Sequence, residues 1–324
     1  MSRDIFADRP RLRLLLYQAK VRVANACPLW LGRTIAYAVG TLLWACDARG
    51  RVTVRRNLAH FLPARCPEAL ARAVRRSYIN FGWYLAESFR LSRLPASFFR
   101  APRLTVVDPW GVFANRPLHG PAILVTVHSH WEVLAAVTHH LGLITGAEVV
   151  ALGSGDPRID ALFERQRNAV GTRSLLLDRA PLGSLRALKE GKILGLLGDR
   201  DYTGHGLAVP FAGEPMALPL GPAALAIQTR SPIIPLFLAR SGPTRFTLIV
   251  GQPILADPEL PKNQQAELLT RRLARTMLRF IAAAPAQWVA FHDAWRPGRG
   301  QNWLQNPAPR ETEAAAGEAR RPIG

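Results

Sequence analysis

Ala122-Ile123-Leu124-Val125-Thr126-Val127-His128-Ser129-His130-Trp131-Glu132 is the stretch on which the reading of this chain turns. Six residues rich in β-branched and aliphatic side chains form a buried strand, and the run ends abruptly in two imidazoles and a carboxylate. In open α/β sheets the carboxyl ends of the strands are where ligands bind. A single histidine in such a place is ordinarily a core or capping residue. Three ionisable groups within five residues are harder to accommodate structurally, because each buried charge needs a partner of its own. The junction is therefore a candidate active site, with His128 as base and Glu132 as its orienting acid.

Working outward, apolar runs of strand length recur at 148–152, 193–197, 233–238 and 246–250. Helical periodicity fills 131–140, 157–170, 183–190, 221–229 and 264–284. Strands alternating with helices predict an α/β fold with a mixed, mostly parallel sheet flanked by helices, with antiparallel pairing near its end. Before residue 100 the texture differs. Apolar residues at helical spacing over 52–61 and 70–89, with Pro63, Pro67 and Pro95 as breaks, predict a helical N-terminal region. The expected organisation is a basic helical region at 1–100, a catalytic α/β domain at 101–296 and a disordered tail at 297–324.

Net charge of +19 over 324 residues is distributed unevenly, since residues 1–100 carry 18 Lys/Arg against 5 Asp/Glu. Such a patch suits nucleic acid or an anionic membrane surface. Here the basic residues are interleaved with aliphatics and tryptophans, as in Leu14-Leu15-Leu16-Tyr17 and Pro28-Leu29-Trp30-Leu31, which favours the membrane and excludes nucleic acid as the expected partner. The uncharged run 34–46 would be about 20 Å long as a helix, against about 30 Å of hydrocarbon. An embedded or in-plane helix is expected ahead of a span, because a full crossing would carry Arg33 into the bilayer. Cys27, Cys46 and Cys66 are odd in number and lack metal-ligand spacing, which fits a reducing compartment.

Asp199 and Asp201 flank Arg200 just after the apolar run 193–197, at another strand end. A carboxylate there can assist His128 or hold a sugar hydroxyl, and Arg200 can neutralise a phosphate. Arg165 and Arg167 divide between phosphate binding and an exposed helix face. His128-x-His130-x-Glu132 also matches the His-x-His-x-acid core of metal-dependent hydrolases, although the next expected histidine is absent at residue 133, a Val.

Taken together, these segments resemble the lipid A biosynthesis and phosphatidylinositol mannoside acyltransferases of the glycerolipid acyltransferase superfamily. The likeness covers roughly residues 10–296. Beyond the histidine motif it is carried by Val54-Arg55-Arg56-Asn57-Leu58, Gly198-Asp199-Arg200-Asp201-Tyr202, Val209 to Pro215, Pro235 to Arg240, Pro285-Ala286-Gln287-Trp288 and Trp295. The family pattern places an acid five residues after its histidine. Here Glu132 is four after His128, so either His128 is the base on a contracted loop or His130 has taken over, and His130 otherwise lies on the substrate side. The superfamily's Pro-Glu-Gly phosphate motif has no visible counterpart. The resemblance implies direct transfer from an acyl thioester, carried by acyl carrier protein or coenzyme A, to a hydroxyl of a lipid or glycolipid, without a cofactor, at the cytoplasmic face of the inner membrane. A catalytically inactive, membrane-docked relative is the remaining alternative.

Overall fold

A computed structural model describes residues 10–62 and 66–295. The tail expected to be disordered lies outside the described residues, as does Pro63. Four helices open the chain: α1 (Pro10–Ala26), α2 (Leu29–Cys46), α3 (Ala48–Ala59) and α4 (Pro67–Phe89). Pro67 is the first helical residue of α4, where its missing N–H costs no intrahelical bond. Helix α2 crosses α4 so closely that glycine is required at the contact. A Cβ on Gly40 would stand 2.7 Å from the Tyr78 carbonyl oxygen, and one on Gly82 would overlap that of Ala36.

The remaining elements build one seven-stranded sheet with helices on both faces. In chain order they are β1 (Leu104–Val107), β2 (Ala122–Thr126), α5 (Trp131–His140), β3 (Ala147–Ala151), α6 (Pro157–Asn168), β4 (Thr172–Leu176), α7 (Ala180–Lys189), β5 (Ile193–Leu197), β6 (Leu207–Phe211), β7 (Glu214–Leu218), α8 (Gly221–Thr229), β8 (Ile233–Gly242), β9 (Arg245–Val250) and α9 (Lys262–Ala283). The strand order is β1-β9-β8-β2-β5-β3-β4, while β6 and β7 form a separate hairpin. All pairings in the large sheet are parallel except β8 with β9. The fold is therefore mixed, mostly parallel α/β with an N-terminal apolar helix.

Strand β2 is central and buried on both faces, as its unbroken apolar run requires. Leu124 packs with Leu134 and Val137 of α5 on one side, while Ile123 and Val125 pack with Ala226 of α8 and Leu273 of α9 on the other. The N-terminal helices are fastened to this sheet by charge. Glu87 of α4 receives a buried hydrogen bond from Arg240 of β8 and lies 3.5 Å from Arg33 of α2. Arg33 thus turns inward. The outer face of α2 stays apolar and exposed, with Trp30 69% and Leu42 63% accessible. By length and composition α2 is the helix among the described residues that is long and apolar enough to cross a bilayer.

Candidate active site

Parallel pairing of β2 with β5 makes the centre of the site. Thr126 stands opposite Leu197 in that register, an offset of 71 residues, and the same offset two residues further on joins His128 to Asp199. The His128 Nδ1 lies 2.8 Å from Asp199 Oδ1. The His128 backbone N–H donates to both carboxylate oxygens at 3.1 and 3.0 Å, and the Trp288 indole N–H donates to Oδ2 at 2.7 Å. Burial alone would raise the Asp199 pKa. The His128 ring and backbone N–H and the Trp288 donor outweigh it and hold the carboxyl below its ordinary value. With an ionised carboxylate on Nδ1, that nitrogen carries the proton and Nε2 is left as an acceptor. The Tyr202 hydroxyl donates to it at 3.3 Å.

Other expected site residues separate from this pair. Helix α5 begins at Trp131, with His130 as its N-cap, so His128 lies outside the helix and the four-residue spacing to Glu132 does not place the two side chains together. Glu132 instead accepts from Arg167, at 2.5 Å from Nη2 and 3.1 Å from Nε, and Arg167 Nη1 donates to Ser174 Oγ at 2.9 Å. Asp199, 71 residues after His128, makes the contact with the ring that the spacing gave to Glu132. His130 is 2% exposed and receives Arg240 Nε on its own Nε2 at 3.3 Å. Burial and the neighbouring Arg240 charge keep its pKa well below the ordinary imidazole value.

Arg200 is buried with its guanidinium 4.5 Å from the Tyr202 ring centroid. Asp201 accepts from the Thr203 N–H and hydroxyl and from Gly206 N–H at 2.7–2.8 Å, which folds the loop after β5 back on itself. Arg165 projects from the exposed side of α6 and does not line the cavity.

That cavity has a volume of about 1100 Å³ and is bordered by His128, Trp131, Glu132, Arg167, Arg200 and Asp201. Its walls are mainly apolar and come from both faces of the sheet: Leu124, Leu134 and Ala147 from the α5 side, Val125, Leu196 and Leu225 from the α8 side. His128, at the carboxyl edge of β2, therefore borders a large, mainly apolar cavity. No group of three or more His, Cys, Asp or Glu side chains among the described residues is placed to hold a metal ion. His128, His130 and Glu132 diverge to Asp199, Arg240 and Arg167 respectively, which removes the geometry that the metal-hydrolase alternative needed.

The profile of the bacterial lipid A biosynthesis acyltransferase family matches residues 9–297. This chain belongs to that family. It is an acyltransferase of lipid biosynthesis, and the metal-hydrolase alternative falls with that assignment too. Among curated relatives, the phosphatidylinositol mannoside acyltransferase of Mycolicibacterium smegmatis is 27% identical over 289 residues, covering 86% of this chain and 90% of the relative. Its namesake from Mycobacterium tuberculosis is 28% identical over 261 residues, 76% and 77% of the two chains. The crystal structure of the 1-acyl-sn-glycerophosphate acyltransferase PlsC from Thermotoga maritima covers 75% of this chain and 97% of its own, at 15% identity and a TM-score of 0.34, too slight a likeness to carry any inference.

Three residues of this candidate site escaped the sequence. Tyr202 and Trp288 stood inside segments that carried the family resemblance, yet nothing in their spacing marked one as a neighbour of His128 and the other of Asp199. His292 likewise carries no motif that marks it. Burial, then the Arg200 charge, push its pKa down to about 3, so a neutral imidazole sits beside the pair.

Proposed function

We propose that the protein transfers a fatty acyl group from an acyl thioester to a hydroxyl of a lipid or glycolipid, with His128 as general base and Asp199 holding and charge-compensating its ring. The observation that carries this is the unprotonated Nε2 of His128 at the edge of an apolar cavity of about 1100 Å³, with its other nitrogen on a buried carboxylate. The Tyr202 hydroxyl now donates to Nε2, and an acceptor alcohol would present its proton in the same way. As Nε2 takes that proton, the alcohol oxygen attacks the thioester carbonyl carbon and a tetrahedral oxyanion forms. Its collapse breaks the C–S bond, and the imidazolium returns the proton to the departing thiolate, giving ester and free thiol. No covalent enzyme intermediate is needed, since both substrates meet at one base.

Arg200, buried at the cavity wall, is suited to stabilising that oxyanion or a phosphate of either substrate. The Glu132–Arg167 pair and Asp201 offer polar contacts for the acceptor headgroup. Either acyl carrier protein or coenzyme A suits the basic surface as donor carrier. Lipid A precursors and phosphatidylinositol mannosides are both in the acceptor class, the latter being what the curated relatives are named for. Docking through the exposed apolar face of α2 and the basic residues around it would place the site at the cytoplasmic face of the inner membrane, and residues 1–100 would serve as the membrane-contacting region of a catalytic domain at 101–296. Incubation of the purified protein with acyl-carrier and acyl-coenzyme A donors against a panel of lipid acceptors tests the proposal. Acyl ester formation is expected for at least one pair, and no transfer to any lipid by correctly folded protein would contradict it.

A further inference from the structure

Residues 285–295 run as a strap across the carboxyl ends of the central strands, and the strap is fastened on both sides of Trp288. On one side, Gln287 clamps β8, accepting from Arg240 N–H at 2.7 Å and donating to the Arg240 carbonyl at 2.8 Å. Asn80 of α4 donates to the Ala286 carbonyl at 2.8 Å. On the other side, Val289 N–H donates to the His128 carbonyl at 2.7 Å. Asn57 of α3, 1% exposed, then binds three backbone groups of the strap: its amide donates to the Ala290 and His292 carbonyls at 2.9 and 2.7 Å, and its oxygen accepts from Ala294 N–H at 3.2 Å. The Trp288 ring is held edge-on by Phe61 and Trp295, at centroid distances of 5.8 and 6.0 Å. An indole gripped this way has little freedom, and its one polar atom is directed at Asp199.

The consequence for Asp199 is specific. Oδ1 takes both the ring and the backbone N–H of His128, whereas Oδ2 shares only that backbone N–H and depends on Trp288 for a well-directed donor. Without the indole N–H the carboxylate can rotate, and its charge is compensated from one side alone. We propose that Trp288 is a positioning residue of the transfer reaction, acting through Asp199 on His128, and that Asn57 and the strap hold it there. The inference rests on His128 being the base. It also gives a role to the Asn57 and Trp288 segments, which lie more than 200 residues apart in sequence and meet across the site.

Replacing Trp288 by Phe, or by its benzothiophene isostere, removes the N–H while keeping an aromatic ring. The turnover number should fall about ten- to a hundredfold, the loss expected for one hydrogen bond to a charged group, with KM for both substrates unchanged. The acid limb of the pH profile should move to higher pH. An Asp199 carboxylate that has lost a donor is more basic and holds the His128 imidazolium more tightly. The charged and titratable groups facing the pair are Arg200 and Tyr202 on the loop after β5, His292 on the strap, and Glu132 with Arg167 across the cavity, and none of these is altered. Leu188→Ala, at a buried α7 position away from the strap and the cavity, is the packing control and should lower stability without moving the pH limb. If Trp288→Phe does not fold, the isostere decides. A folded isostere variant with the wild-type turnover number and pH profile would overturn the proposal while His128→Ala remained inactive, and activity in His128→Ala would instead implicate the base assignment.

Discussion

At the residue scale the decisive contacts are few. Asp199→Asn would keep the shape of the pair but offer an amide to Nδ1, so the ring is no longer held in the tautomer that leaves Nε2 bare. Turnover should drop by about 10²–10⁴-fold with folding retained, as steady-state rates and circular dichroism would report. Glu132 has a different expected phenotype. Its removal strands Arg167, whose side chain is 16% exposed. Glu132→Ala should therefore destabilise the fold by up to about 3–5 kcal/mol, and pairing it with Arg167→Met should recover much of the loss in thermal melts. His130 links protonation to stability. Its folded pKa is depressed, so below about pH 6.5 the unfolded chain binds a proton that the folded chain does not. Its contribution is fully present above that pH and is lost on acidification, with a slope approaching about 1.4 kcal/mol per pH unit. Melting temperature followed from pH 7 to 4 should decline less steeply in His130→Gln, and an unchanged slope would refute the assignment.

At the element scale, the large sheet was mostly legible. Runs of apolar residues bounded by turn formers gave β2, β3, β5, β8 and β9, and α5 and α8 fall at their expected limits, Trp131–His140 and Gly221–Thr229. Two strands of the sheet had weak signals. Leu104–Val107 is a four-residue edge strand with three exposed positions, and Thr172–Leu176 carries Arg173 and Ser174 among its few apolar residues. The β6–β7 hairpin turns at Ala212 and Gly213, both at positive φ. Asn at the first position would have advertised that turn, whereas Ala conceals it. The dyad was legible in part: the sequence offered both Glu132, by spacing, and Asp199, at a second strand end, as partners of His128, and the parallel β2–β5 register joins His128 to Asp199. Close packing of α2 on α4 was equally invisible, because the glycines that permit it report no partner. Gly40→Ala should force those helices apart and cost about 1–3 kcal/mol, measurable by chemical denaturation.

At the scale of the whole molecule, charge and apolar surface converge on the N-terminal region. Binding to anionic vesicles should weaken with rising salt, and Leu42→Asp with Trp30→Ser should weaken it further without altering the fold, because both side chains point outward. Point variants are preferable to removal of residues 1–48, which would also strip the α2 surface from α4. Vesicle co-sedimentation that is indifferent to salt and to both substitutions would place the anchor elsewhere. The same helices bring Asn57 and Glu87 against the α/β half, so the proposed docking surface and the candidate site belong to one packed body. The most direct test of the central claim is single-turnover transfer of a labelled acyl group from thioester to lipid acceptor by wild-type protein and by folded His128→Ala. A rate reduced by about 10²–10⁴-fold in the variant is predicted. An undiminished rate in His128→Ala, or its loss in His130→Ala alone, would contradict the account.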